Sequence, residues 1–259
     1  MRVLFIGDVV GRAGREAVST LAPQIRNELA ADFVIANAEN AAGGVGITPA
    51  LGAELLTHGD VDVLTLGNHA WAKREAYPYL QTESRVLRPV NYPPEAPGHG
   101  CGVYETTCGV LAVLVLQGRV FMEGADNPFR AADAELARLK DATNVVLVDV
   151  HGEATSEKKA LGWHLAGRVA AVVGTHTHVQ TADEAILEGG TAYITDAGMT
   201  GPTVSVIGMK REAVLERFLT GLPARFEAAD GPAELQGVVI DIDEATGHAT
   251  HIERIRRAA

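Results

Sequence analysis

The 259-residue sequence predicts an α/β fold. Three observations carry that reading. Short β-rich runs alternate with longer helical stretches for most of the chain, the pattern of a mostly parallel sheet with helices on its faces. The runs are apolar at consecutive positions, as strands buried on both faces are. Two regions break the pattern, paired strands over 102–117 and an alternating hairpin near the C-terminus, and they point to a second, more antiparallel sheet packed on the first.

In chain order, residues 3–6 form the first strand and a helix over 15–30 follows. The strand 33–36 precedes a helix over 49–58, and the strand 61–66 precedes a short helix over 73–80. Residues 102–117 read as paired strands with 110–116 as the core run. A helix over 131–140, a strand over 145–148, a helix over 157–165 and a strand over 169–173 continue the alternation. Residues 192–195 are strand-like, and 199–202 after them form either a pocket rim or a plain loop. The hairpin comprises 237–242, a turn through 244–247, and 249–255. No linker, repeat or low-complexity tract divides the chain, so residues 1–259 read as a single domain.

Charge and composition exclude several classes. Lys plus Arg total 22 against 33 Asp plus Glu, a formal net charge of -11. Such a surface repels polyanions, which argues against a binder of long nucleic acid or of a membrane surface. With 47% apolar residues the chain is not disordered. Cys101 and Cys108 make no disulfide framework in a chain this long and read as reduced thiols. No signal peptide is apparent, and the apolar run 110–116 is too short to span a bilayer. The expectation is a cytoplasmic protein, with homo-oligomerisation compatible with the sequence. An anionic substrate would need something local to reverse the sign of the field.

The polar residues just beyond the strands supply a candidate. The first strand ends in Gly7-Asp8, the second in Asn37-Ala38-Glu39-Asn40, the third in Gly67-Asn68-His69, the fourth in Asp149-Val150-His151 and the fifth in Gly174-Thr175-His176-Thr177-His178. Ligands of open α/β sheets bind at the carboxyl ends of the strands, and all five ends are expected on one edge of the sheet. Four of the nine histidines fall there. In extended backbone His176 and His178, two apart, would point to the same side. Oxygen and nitrogen donors without thiolate exclude a cysteine-type structural zinc and favour iron, manganese or zinc in a catalytic site. The donors exceed the needs of one ion, so two metals sharing a carboxylate are expected. Such a pair is locally positive and can activate a bridging hydroxide for attack on phosphorus.

These blocks resemble a known family. Gly67-Asn68-His69 and Gly174-Thr175-His176-Thr177-His178 are similar to the GNH and GHTH blocks of the calcineurin-like metallophosphoesterases. Together with Gly7-Asp8-Val9-Val10-Gly11, Asn37-Ala38-Glu39-Asn40 and Asp149-Val150-His151-Gly152-Glu153 they resemble its YmdB-like branch, over almost the whole chain. The resemblance implies a four-layer αββα sandwich, a di-metal centre with iron as the expected metal, and phosphodiesterase action on 2′,3′- or 3′,5′-cyclic nucleotides. By motif position it implies Asp8, Glu39, Asn40 and His178 at one ion. Glu39, Asn68, His151 and His176 would hold the other, with Glu39 bridging and His69 as general acid. Two positions depart from the wider superfamily: no histidine follows Asp8 at Val10, and Glu39 stands for the usual bridging aspartate.

Two rival functions use the same residues: a phosphomonoesterase, either nucleotidase or protein phosphatase, and a non-catalytic metal-bound regulatory scaffold. Other segments read either way. The loop 41–46 could let backbone approach a phosphate or a base, or be a surface turn. Arg12 and Arg15 could steer an anion or lie on a solvated helix face. Lys158-Lys159 is too short a basic run for nucleic-acid binding.

Overall fold

The computed structural model describes residues 1–259. The first half runs β1 (Arg2–Ile6), β2 (Asp8–Val9), α1 (Gly11–Leu29), β3 (Phe33–Asn37), α2 (Pro49–His58), β4 (Val63–Thr65), α3 (Ala76–Thr82), β5 (Val86–Leu87), β6 (Cys101–Thr106) and β7 (Gly109–Gln117). It continues with α4 (Pro128–Leu139), β8 (Val145–His151), α5 (Thr155–Leu165), β9 (Ala171–Thr175), β10 (Ala185–Leu187) and β11 (Thr191–Ile194). β12 (Met199–Pro202), α6 (Arg211–Thr220), β13 (Ala233–Asp243) and β14 (His248–Ala258) complete it.

The elements make two sheets. In the first, β1, β3, β4 and β5 are parallel neighbours, and β13 joins β1 antiparallel on the other side. β13 also pairs with β14 and β12, and β12 with β2. The second sheet has the order β10-β11-β9-β8-β7-β6, parallel through its centre and antiparallel at both edges.

Strand parity builds the layers. In β1, Val3 and Phe5 join a core between the sheets with Ile35, Val113, Leu147 and Val173. Leu4 and Ile6, one step out of phase, face away and pack with Val18 and Ile25 of α1 and Leu55 of α2. On the far side Leu114, Val146, Val148 and Val172 pack with Leu161 and Leu165 of α5. Each central strand is covered on both faces, which is why its sequence shows no polar alternation. The result is the four-layer αββα sandwich that the resemblance implies.

Two expectations from the sequence do not hold in the fold. The five strands whose ends carry polar residues do not share a sheet: those of β1, β3 and β4 lie in the first, those of β8 and β9 in the second. The C-terminal hairpin belongs to the first sheet and not to the second, because β13 pairs with β1. Runs buried on both faces look alike whichever sheet they join, so pattern alone could not sort them.

Element ends shift for local reasons. α1 begins at Gly11, not near residue 15, and its Gly14 is a packing position: a Cβ there would lie 2.4 Å from the Thr200 carbonyl oxygen of β12. α2 is capped by Thr48, whose hydroxyl accepts from the Leu51 N–H, with Pro49 at the first turn. Residues 199–202 are a buried strand, not a loop. Both cysteines are free thiols. No helix is long and apolar enough to cross a membrane.

Candidate metal centre

The parity that fills the inter-sheet core also places the site. Continuing each inward-facing row one step past its last apolar residue gives Asn37 on β3, Thr65 on β4, Asp149 on β8 and Thr175 on β9. All four are fully buried and bonded to one another. The Thr65 hydroxyl donates to Asp149 Oδ2 at 2.5 Å, the Thr175 hydroxyl to Asp149 Oδ1 at 2.7 Å, and Asn37 Nδ2 to Asp149 Oδ2 at 3.3 Å. Burial raises the Asp149 pKa from its ordinary value. This polar layer closes the core and forms the floor on which the candidate ligands stand.

His151 is the next inward residue of β8 and is fully buried. Its Nδ1 lies 2.9 Å from Thr175 Oγ1, whose proton goes to Asp149, so Nδ1–H is the donor. That fixes the tautomer and turns the Nε2 lone pair inward. Nε2 then faces Glu39 Oε1 at 3.1 Å, Asn68 Oδ1 at 3.1 Å and His176 Nδ1 at 3.0 Å. The ligand atoms of Glu39, His151 and His176 lie within 4.8 Å of one another. Gly67 makes room for this ring, since a Cβ there would sit 2.0 Å from His151 Cδ2.

A second group adjoins the first. Asp8 is fully buried, its Oδ2 accepts from the His176 backbone N–H at 3.1 Å, and its Oδ1 lies 3.8 Å from His178 Nε2. His178 Nδ1 donates to the Ile207 carbonyl oxygen at 2.9 Å, so its Nε2 too presents a lone pair. The Asn40 amide sits between the groups, with Nδ2 3.3 Å from Glu39 Oε1 and 3.1 Å from His178 Nε2. Its Oδ1 is 3.0 Å from His69 Nδ1. His69 lies at the edge, its backbone N–H donating to Glu39 Oε2 at 3.0 Å.

The donor chemistry fits a cation. Asp8 Oδ1 is buried and has no hydrogen-bond partner, a costly state for a carboxylate oxygen unless a positive charge meets it. Around His151 Nε2 the neighbours are acceptors, so that nitrogen must either hold a proton or share a cation with them. The electrostatics agree. Burial, moderated by His178, pushes Asp8 up to about 6. Burial opposes ionisation of Glu39 too, yet the charge of His151 and its hydrogen bond hold that carboxyl well below its usual range. Burial would lower His151, but the charge and hydrogen bond of Glu39 together with the charges of Asp8 and Asp149 push it up to about 9. Burial and the neighbouring His151 bring His176 down to about 3. Without a cation the cluster relies on a proton at His151 and leaves Asp8 Oδ1 unpartnered.

The seven residues expected as ligands and His69 therefore all lie in this one cluster. The premise for the histidine pair does not hold. His176 and His178 lie past the end of β9 with φ of 99° and 63°, left-handed and not extended, and they face different neighbours. Such backbone costs of order 1–3 kcal/mol per residue. Asp149, quoted in the fourth strand-end motif but given no ligand role, lies beneath the cluster among Asn37, Thr65 and Thr175. The sequence reading overlooked Asn37, Thr65 and Thr175 as partners; their i, i+2 spacing from the apolar residues of each strand was the available signal.

The cluster lines a pocket of about 350 Å³. Glu39, Asn40, His69, His176 and His178 make one wall, with Glu153 3.3 Å from His176 Nε2. Val45, Ile207, Met209 and Phe226 make an apolar wall. Gly44 of the loop 41–46 also lines it, at φ 95°, so that loop is part of the pocket. No Lys or Arg contributes. Arg12 pairs with Glu16 on the exposed face, while Arg15 is tied to Glu54 and to the Ala41 carbonyl oxygen, 2.6 Å away.

Comparison with known proteins shows the family. The family model described as YmdB-like protein matches residues 4–255. A Bacillus subtilis protein named 2′,3′-cyclic-nucleotide 2′-phosphodiesterase is 49% identical over 255 residues, covering 98% of this chain and 96% of that one. A crystal structure of a Thermus thermophilus protein superposes with a TM-score of 0.93 at 45% identity, over 100% of this chain and 99% of the other. A Mycoplasma pneumoniae protein described as a novel phosphatase gives a TM-score of 0.93 at 34% identity, over 100% and 93%. With a family model spanning nearly its whole length and relatives matched end to end, this chain belongs to the YmdB-like family.

Proposed function

We propose that the chain is a di-metal phosphodiesterase that opens cyclic nucleotides, with 2′,3′-cyclic nucleoside monophosphates as the preferred class. The observation that carries the reading is the pocket wall. Buried carboxylates and outward lone pairs converge there, and no Lys or Arg offers a phosphate its countercharge. Asp8, Asn40 and His178 would hold one ion, Asn68, His151 and His176 the other, with Glu39 between. Iron is the expected metal, with manganese or zinc as alternatives. Bound ions of this kind neutralise phosphoryl oxygens and lower the pKa of a bound water towards about 7.

The chain's own residues do the rest. A half-turn of the Asn40 amide exchanges its two ends, putting oxygen beside Glu39 Oε1 and His178 Nε2 and giving its NH₂ to His69 Nδ1. His69 Nε2 is then the ring nitrogen that carries the proton. It gives that proton to the departing ribose oxygen, as a general acid. The apolar wall of Val45, Ile207, Met209 and Phe226 faces the ligands across a space sized for one nucleotide, and Phe226 offers a ring to the base. Arg217 lies 5.3 Å from the centroid of that ring and steadies it.

A substrate panel tests the reading. With 2′,3′-cAMP, 3′,5′-cAMP and p-nitrophenyl phosphate compared at equal metal, kcat/KM is expected to be highest for 2′,3′-cAMP. Highest activity on the monoester would favour the phosphatase alternative, consistent with the description of the Mycoplasma relative. Phe226→Ala is expected to raise KM for 2′,3′-cAMP about tenfold, since base–aromatic stacking is worth about 1–3 kcal/mol. It should leave KM for bis-p-nitrophenyl phosphate within about twofold; an equal rise for both would remove Phe226 from base recognition.

A further inference from the structure

We propose that the buried Lys158–Asp196 ion pair is a positioning device for His176 and His178, and that it acts through metal affinity. The inference rests on the metal reading above. Lys158 projects from α5, and the two side chains are 2% and 0% exposed. Lys158 Nζ donates to Asp196 Oδ2 and to the Thr175 carbonyl oxygen, each at 2.8 Å. Asp196 Oδ2 also accepts from the Thr177 backbone N–H at 3.1 Å and from its hydroxyl at 2.8 Å. Asp196 Oδ1 accepts from the Gly198 N–H at 2.9 Å.

The ammonium thus grips the peptide just before His176, and the carboxylate grips the residue between the two histidines. Both histidines have φ in the left-handed region, at 99° and 63°, a conformation that persists only where the surroundings over-determine it. The lysine stem is fitted to the same place. A Cβ added at Gly174 would lie 2.9 Å from Lys158 Cδ, and one at Gly152 would lie 3.6 Å from its Cγ. The stem therefore crosses the ends of β8 and β9, directly behind His151 and His176. Packing alone does not call for a charge pair, because apolar side chains of similar volume fill such sites as well or better. What only the pair supplies is a donor at the 175 carbonyl and an acceptor for residue 177. The two adjacent lysines part company in the fold. Lys159 reaches solvent and pairs with Asp183 at 2.9 Å, whereas Lys158 turns inward.

The test uses the full chain stripped of metal and titrated with Mn²⁺ alone, with folding followed by circular dichroism. Lys158→Met keeps the length of the stem and removes the charge. It is expected to weaken Mn²⁺ binding by about 10–100-fold, the usual cost of losing a group that orients a ligand, with kcat recovering as Mn²⁺ is raised to saturation. Thr177→Val, which removes one hydrogen bond to Asp196, should shift affinity in the same direction by a smaller factor, and Thr177→Ser should restore it. Unchanged Mn²⁺ affinity in folded Lys158→Met or Thr177→Val overturns the inference. If Lys158→Met does not fold, the Thr177 pair decides. A wild-type chain that binds no Mn²⁺ would instead remove the metal reading itself, and is seen before any variant is made.

Discussion

Glu39→Gln is expected to lose bound metal and to lower kcat/KM for cyclic nucleotides by about a thousandfold, equivalent to about 4 kcal/mol of transition-state stabilisation. Glu39 is the residue common to both ligand groups: its Oε1 lies 3.1 Å from His151 Nε2 and 3.3 Å from Asn40 Nδ2. Gln preserves shape and can still accept from the His69 N–H, so the fold should survive. What disappears is the charge that joins the two groups. Metal analysis beside circular dichroism checks this; a folded variant that retains two ions and full turnover would show that Glu39 bridges nothing.

His69→Ala is the complementary case, with metal retained and turnover lost by about 10²–10⁴-fold, the range for a positioned general acid. The backbone N–H that donates to Glu39 Oε2 at 3.0 Å is unaffected by the substitution, so the ligand groups stay in place. The leaving group gives a sharper readout. A ribose oxygen needs a proton as it departs, whereas p-nitrophenolate does not. His69→Ala should therefore cost far less on bis-p-nitrophenyl phosphate than on 2′,3′-cAMP. Equal losses on both substrates, or loss of metal, would make His69 a ligand or a structural group.

Much of this was legible in the sequence because strands and sites obey simple rules. Apolar runs of strand length separated by helices named the α/β class, and polar residues at strand ends named the edge where ligands bind. Pattern could not sort the strands between sheets. β1 and β9 are each covered on both faces, one by α1 and the other by α5, and each looks out on the same inter-sheet core. The seven expected ligands come together because both sheets bring their carboxyl ends to that core's rim. The left-handed turn at His176 and His178 was invisible, since neither residue is glycine and the segment is held by distant groups. The burial of Lys158 was invisible for a related reason. A lysine next to another lysine looks solvated, and only the fold shows a buried acid within its reach. The polar floor of Asn37, Thr65, Asp149 and Thr175 was within reach of sequence, each two residues beyond an apolar inward position.

The acidic chain of net charge -11 can handle a small phosphodiester only if the cluster around Glu39 carries cations. The most direct test is the metal content of protein purified without chelator, measured with its 2′,3′-cAMP hydrolysis before and after metal removal. Two ions per chain are expected, with loss of hydrolysis on their removal and recovery on their return. Zero or one ion per chain, or hydrolysis undiminished in the stripped protein, would contradict the metal reading.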